Sequence, residues 1–202
     1  VVRIRNRRPE LLRLSVALGL GIPGQAVIGG VTVLTDLNPY VVGLHYLLSA
    51  VLVGLAALLL YRVRVGQSGG ATVVPPAFRA LLWALLGALG VSIIMGILTT
   101  GSGPHAGDGG AARNGLDSEL LQHIHAIPSY VVFGLAVVSL LWAQQIARTG
   151  VALRLRRTLI GLNAVVLVQI AVGLFQARNG LPELAVGIHM VLASLAVAVA
   201  VS

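Results

Sequence analysis

The chain has 202 residues, 57% of them hydrophobic and 10% charged, with a mean hydropathy of +0.94, more apolar surface than a soluble domain of this size can bury, so the composition points to an integral membrane protein. Cysteine is absent, which excludes disulfides, zinc–thiolate sites and iron–sulfur clusters within the chain. The net charge of +8 is carried entirely by arginine and reads as a determinant of membrane orientation, not as a nucleic-acid footprint.

The first residues, VVRIRNRRPELLR, are polar and basic. They lack the apolar stretch and cleavage site of a signal peptide and read as a cytoplasmic loop entered midway. Six stretches then reach the roughly 20 apolar residues needed to cross a hydrocarbon core: 11–34, 40–62, 78–100, 119–147, 152–177 and 182–202. Connectors rich in helix breakers separate them: DLNP, GQSGGATVVPP, GSGPHAGDGGAARNG, RTG and RNGLP. Pro23, Gly96 and Pro128 fall inside spans, where neighbouring helices can repair or exploit them.

Arginines sort to one side. Arg3, Arg5, Arg7, Arg8, Arg13, Arg62, Arg64, Arg79, Arg148, Arg154, Arg156 and Arg157 share a side, against Arg113 and Arg178 on the other. The positive-inside rule makes the first side cytoplasmic, with both ends of this chain on it. Asp36, Asp108, Asp117, Glu119 and Glu183 then fall outside.

His45, His125 and His189 each lie six or seven residues into a span that starts from the outer side, roughly 10 Å below its boundary at 1.5 Å per residue. Ionisable groups at membrane depth are expensive and point to function. A single buried histidine is equally explained by a helix–helix hydrogen bond; three at one depth on alternate helices are not so readily dismissed. The spans hold no carboxylate to complete a proton relay or a His–carboxylate metal site. Heme fits the composition better: it takes one or two axial imidazoles, small residues where the ring approaches the backbone, and cations for its propionates. Gly43 and Gly187 stand two residues before their histidines, Ala126 and Ala136 offer room near His125, and Arg113 and Arg178 are candidates for the propionates. Ordinary helix packing explains each glycine equally well. His123 is about 200° around the helix from His125 and cannot face the same ligand. His105, in the glycine-rich loop, reads most simply as solvated, with a role in covering a bound group as the alternative. That loop lacks the Gly-Lys-Ser/Thr ending of a phosphate cradle.

Residues 25–45, QAVIGGVTVLTDLNPYVVGLH, align without a gap on 169–189, QIAVGLFQARNGLPELAVGIH. The identities are Gln25/Gln169, Gly29/Gly173, Leu37/Leu181, Val42/Val186, Gly43/Gly187 and His45/His189. The pairing couples the first two spans to the last two and implies a repeated four-helix unit. The second unit is spans three to six; the first lacks its own first two helices, which also accounts for the basic start without Met. His125 and His189 then belong to one unit and can share one heme iron, while the partner of His45 would sit on an absent helix.

The motifs GGVTVLT followed by VVGLH, TTGSGPHAGD, LLQHIHA and LPELAVGIH, in this order and over nearly the whole chain, resemble heme A synthase, the membrane enzyme that oxidises a methyl group of heme O to the formyl group of heme A. The resemblance implies an all-α fold of eight transmembrane helices in two similar four-helix bundles, of which this chain matches the third to eighth helices. It divides the chain into residues 1–65, the second helix pair of an incomplete substrate-heme bundle, a cytoplasmic linker at 66–77, and a C-terminal bundle at 78–202 for the cofactor heme b. His125 and His189 would be axial ligands of heme b, and His45 an axial ligand of the substrate heme. The resemblance further implies a bacterial plasma membrane, an electron carrier, and heme O synthase and cytochrome oxidase assembly factors as partners. The family's proposed catalytic glutamate stands three residues before the other substrate-side histidine, on a helix not present here. At the same offset before His125 this chain has Gln122, which orients but cannot act as a base near neutral pH. A diheme electron-transfer subunit and a repeat-built transporter remain the alternatives from the residues alone.

Overall fold

The computed structural model describes residues 8–65, 74–107, 109–146 and 150–202. Arg3, Arg5, Arg7, Asp108 and Arg148, and residues 66–73 of the expected linker, lie outside the described residues. The described chain is all-helical, with α1 (Pro9–Leu34), α2 (Pro39–Val65), α3 (Pro76–Ser102), α4 (Ser118–Ile146), α5 (Gly150–Arg178) and α6 (Glu183–Ala200). Each is long and apolar enough to cross a membrane, as expected of a multi-pass membrane protein.

Local chemistry sets the helix starts. Pro9, Pro39 and Pro76 open their helices, at the position where a missing N–H costs nothing. The Asn38 carboxamide oxygen accepts the Tyr40 N–H at 3.0 Å, and the Asp117 carboxylate accepts the Leu120 N–H at 2.9 Å, each a side-chain cap on an otherwise orphaned donor.

Helices α3, α4, α5 and α6 form a four-helix ring in which successive helices pack closely and α6 meets α3 only lightly, leaving α4 and α6 diagonal to one another. Outside the ring, α2 packs on α3 and α6, while α1 packs among the helices on α2 only. The main core lies inside the ring: Leu85, Leu89, Val132, Ala136, Leu162, Val166 and Ala196 come from all four of its helices. A second cluster of Phe78, Ala143 and Leu159 sits toward the arginine-bearing helix ends. There the Phe78 ring meets Trp142 edge-on, with centroids 5.4 Å apart. With lipid on the outside, such packing and a few interhelical hydrogen bonds hold the helices together. One is the Asn163 amide, which donates to the carbonyl of Ala136 on α4 at 3.0 Å.

The repeat seen in the sequence is present in the backbone. Leu37 and Leu181 both adopt φ 57°, preceded by Asp36 at φ 52° and Gly180 at φ 73°. Leucine rarely enters this region, at a cost of about 1–2 kcal/mol. In each turn the leucine N–H reaches back five residues, to the Thr32 carbonyl at 2.9 Å and the Gln176 carbonyl at 2.8 Å. These Schellman-type turns reverse α1 into α2 and α5 into α6 in the same way, so His45 and His189 start their helices from equivalent places.

Phe78 is fully buried, and Phe78→Ala is expected to destabilise the bundle by about 3 kcal/mol. A denaturant titration in mild detergent micelles checks this; an unchanged midpoint would show that the second cluster contributes little.

Candidate functional site

All three intramembrane histidines enter near the ends of helices that leave the short turns: six residues into α2, seven into α4 and six into α6. Each lies against a glycine on the preceding helix. A Cβ on Gly29 would stand 3.3 Å from His45 Cε1, one on Gly96 3.1 Å from His125 Cε1, and one on Gly173 3.1 Å from His189 Cε1. The absence of a side chain at those three positions is what lets each imidazole lie on the neighbouring helix surface.

Four residues before each glycine stands Gln25, Ser92 or Gln169, and four after each histidine Ser49, Ser129 or Ala193. In the first pair of helices the Gln25 amide donates to Ser49 Oγ and to the His45 carbonyl. In the second, Ser92 and Ser129 share a hydrogen bond of 2.9 Å. In the third, Ala193 offers no hydroxyl, and the Gln169 side-chain oxygen is buried without a partner. The middle pair is thus a third instance of the arrangement, hidden from the sequence alignment because serine replaces glutamine.

His125 on α4 and His189 on α6 face one another across the bundle diagonal. Their ring centroids are 6.2 Å apart and their planes 78° from parallel. Two imidazoles on opposite sides of one metal ion, with metal–nitrogen bonds of about 2.0 Å and nitrogens about 1.2 Å from the ring centres, would place their centroids roughly 6.4 Å apart. Nδ1 of each ring is buried without a hydrogen-bond partner, although the carbonyls of Ser92 and Gln169 lie toward them. Both rings line the cavity, which leaves Nε2 as the nitrogen available to a ligand. Among the described residues no cluster of three or more His, Asp or Glu exists, so the pair is not part of an all-protein metal cage.

The cavity has two adjoining lobes with shared walls. One lies along α4 and α5. The other lies along α2, α3 and α6. His125 and His189 line both, so a flat ligand spanning the two lobes would lie between the imidazoles. No Asp or Glu among the described residues lines either lobe.

Several expected site residues fall elsewhere. Gly43 packs against Ile97 of α3, and a Cβ at Gly187 would meet nothing within 4 Å, so neither makes room for its histidine; Gly29 and Gly173 do that instead. Ala126 lines the cavity as expected, but Ala136 is fully buried in the bundle core, about three helical turns beyond the imidazole, and gives the ligand no space. Arg113 is exposed and tied to its own loop, donating to the carbonyls of Ala111 at 2.6 Å and Pro104 at 2.9 Å. Arg178 is exposed at the end of α5, and neither arginine lines the cavity. His45 stands apart from the other two: among the described residues no second imidazole faces it. His123 points away from the cavity, its Nδ1 on the Glu119 carbonyl at 2.8 Å.

His105 is not a solvated loop residue. It is partly buried, lines both lobes, and its Nε2 lies 2.6 Å from the Leu181 carbonyl. That bond lays the α3–α4 loop across the mouth of the bundle and joins it to the α5–α6 turn. The Asn114 amide fixes the far end of the loop by donating to the Leu98 carbonyl at 2.8 Å. Comparison with protein-family models, curated proteins and solved structures finds no match to the chain.

Gly173→Val is expected to displace the His189 ring and to weaken any ligand held between His125 and His189 by at least tenfold. Gly187→Ala, facing open space, is expected to change it little. A heme titration of both variants in detergent checks this; equal effects would refute the role given to Gly173.

Proposed function

We propose that the four-helix bundle of this protein holds one heme b between His125 and His189, as the cofactor-binding part of an enzyme of the heme A synthase type. The observation that carries the heme reading is the imidazole pair: two rings on diagonal helices, 6.2 Å between centroids, lining one cavity and seated on glycines. The synthase reading rests on the order of GGVTVLT, VVGLH, TTGSGPHAGD, LLQHIHA and LPELAVGIH along the chain.

In this reading His125 and His189 would hold the heme iron through their imidazole nitrogens, and Gly96 and Gly173 set how closely those rings sit to their neighbouring helices. Bound there, heme supplies a one-electron couple. The protein supplies fixed ligands, an apolar wall that keeps water away, and Gln122 where a base would be needed for proton abstraction. This bundle therefore carries electrons, and the oxidation of heme O belongs to the site around His45, whose helix pair repeats the turn and the Gly–His contact of α5 and α6. There His45 would hold the substrate iron. The arginine-bearing ends face the cytoplasm of a bacterial cell, and the histidines lie near the outer face. An electron carrier, heme O synthase and cytochrome oxidase assembly factors are the partners this activity calls for.

A diheme electron-transfer subunit is the second reading, favoured by the lack of any carboxylate among the described residues that line the cavity. Chemical extraction of heme from membranes that contain the protein and heme O separates the two: formyl-bearing heme A belongs to the synthase alone.

The purified chain is expected to bind about one heme. His125→Ala and His189→Ala should each remove the six-coordinate low-spin spectrum, while His45→Ala should leave it nearly unchanged. Full heme occupancy in the doubly substituted chain would overturn the assignment.

A further inference from the structure

The loop end of the cavity differs in character from the rest of its wall. About one helical turn beyond His125 and His189, toward the turns, the wall is formed by Thr100, Gln122 and Gln176, with His105 of the loop over them. Thr100, Gln122 and Gln176 bring a hydroxyl and two carboxamides, uncharged groups that can donate hydrogen bonds, and His105 brings an imidazole. Their hydrogen-bonding capacity is largely unspent. Thr100 makes no side-chain hydrogen bond among the described residues, and the Gln176 carboxamide makes none either: its oxygen is buried without a partner, and a half-turn of the amide presents the NH₂ there instead. Gln122 has only a long contact of 3.5 Å to Ser118 Oγ. His105 spends its Nε2–H on the Leu181 carbonyl and contributes the lid of the wall, not a donor. Unspent polar groups in a membrane-embedded wall are costly unless a ligand meets them.

The two arginines of this end do not serve the cavity. Arg113 is spent on its own loop, and Arg178 lies outside the wall. A ligand's polar edge reaching this end from the imidazole pair therefore meets amide, hydroxyl and imidazole groups before it meets a guanidinium.

We propose that Thr100, Gln122 and Gln176 form a carboxylate-binding subsite, in which hydroxyl and carboxamide donors hold the acidic side chains of the porphyrin. This rests on the heme reading above and names the groups that orient the ring within it. The carboxamides donate through their NH₂ groups and Thr100 through its hydroxyl. His105 closes the subsite from the loop, held in place by the Leu181 carbonyl. Hydrogen bonds to an ionised acceptor are stronger than those to a neutral one, so the subsite selects porphyrins with free acids over their esters.

The test is a detergent titration of the whole chain with iron protoporphyrin IX and with its dimethyl ester, for the native sequence and for a Thr100→Val/Gln176→Leu variant. The native chain is expected to bind the diacid about tenfold or more tightly than the diester. The variant should lose that preference while binding the diester as the native chain does, with an unchanged low-spin spectrum. A variant that weakens both porphyrins equally would show a merely structural role and overturn the proposal, as would a native chain that binds both forms alike with low-spin spectra. A native chain that gives no low-spin complex with either form would overturn the heme reading itself, and the subsite with it.

Discussion

An imidazole laid against a glycine of the preceding helix is the contact on which the organisation of this protein depends. It occurs three times, at Gly29 with His45, Gly96 with His125 and Gly173 with His189, with Cβ clearances of 3.1–3.3 Å. A helix in lipid gains little by burying apolar surface against another helix, so close backbone approach and a few polar contacts decide which faces meet. The glycine brings the two helices of each pair together at the depth of the histidine, and the histidine is fixed in turn by that approach. Because α4 and α6 stand diagonal in the ring, two of the three fixed imidazoles confront one another across a cavity, and the third, on α2, faces away from it.

The helices of this structure were legible from hydropathy and breakers alone, with every bound within three residues of expectation. A span is a sum over some twenty side chains, and single errors cancel. The equivalence of the first and last helix pairs was legible too, since Gln25 and Gln169, His45 and His189, and the glycines between recur without a gap, and their turns share even the strained leucine. The middle pair was not, because Ser92 and Ser129 do by mutual hydrogen bonding what Gln25 and Ser49 do, and no alignment of residue types exposes that. The glycines that meet the imidazoles were not legible for a related reason. Gly43 and Gly187 are near their histidines in sequence, but two residues along a helix is about 200° around it, and the contacting glycine sits on another helix. His105 could not be placed by any local rule. Its position depends on how a loop of fifteen residues, 103–117, folds back on the α5–α6 turn.

The ring of α3 to α6 has a continuous core, and its cavity, walled in part by α2, is free of carboxylates among the described residues. The α1–α2 hairpin is joined to that ring through α2, and the Tyr46 hydroxyl donates to the Met190 carbonyl at 3.0 Å, one residue from each of the two repeat-related histidines. His45 is thus presented by the same local structure as His189 but in a different setting, against α1 alone.

The most direct test of the central claim is the low-temperature electron paramagnetic resonance spectrum of the ferric heme-loaded chain. Two imidazoles sharing one iron, with planes close to the 78° seen here, should give the highly anisotropic low-spin signal of near-perpendicular axial ligands. A high-spin signal from folded, heme-loaded protein would mean that His125 and His189 do not ligate the iron together, and would contradict the account.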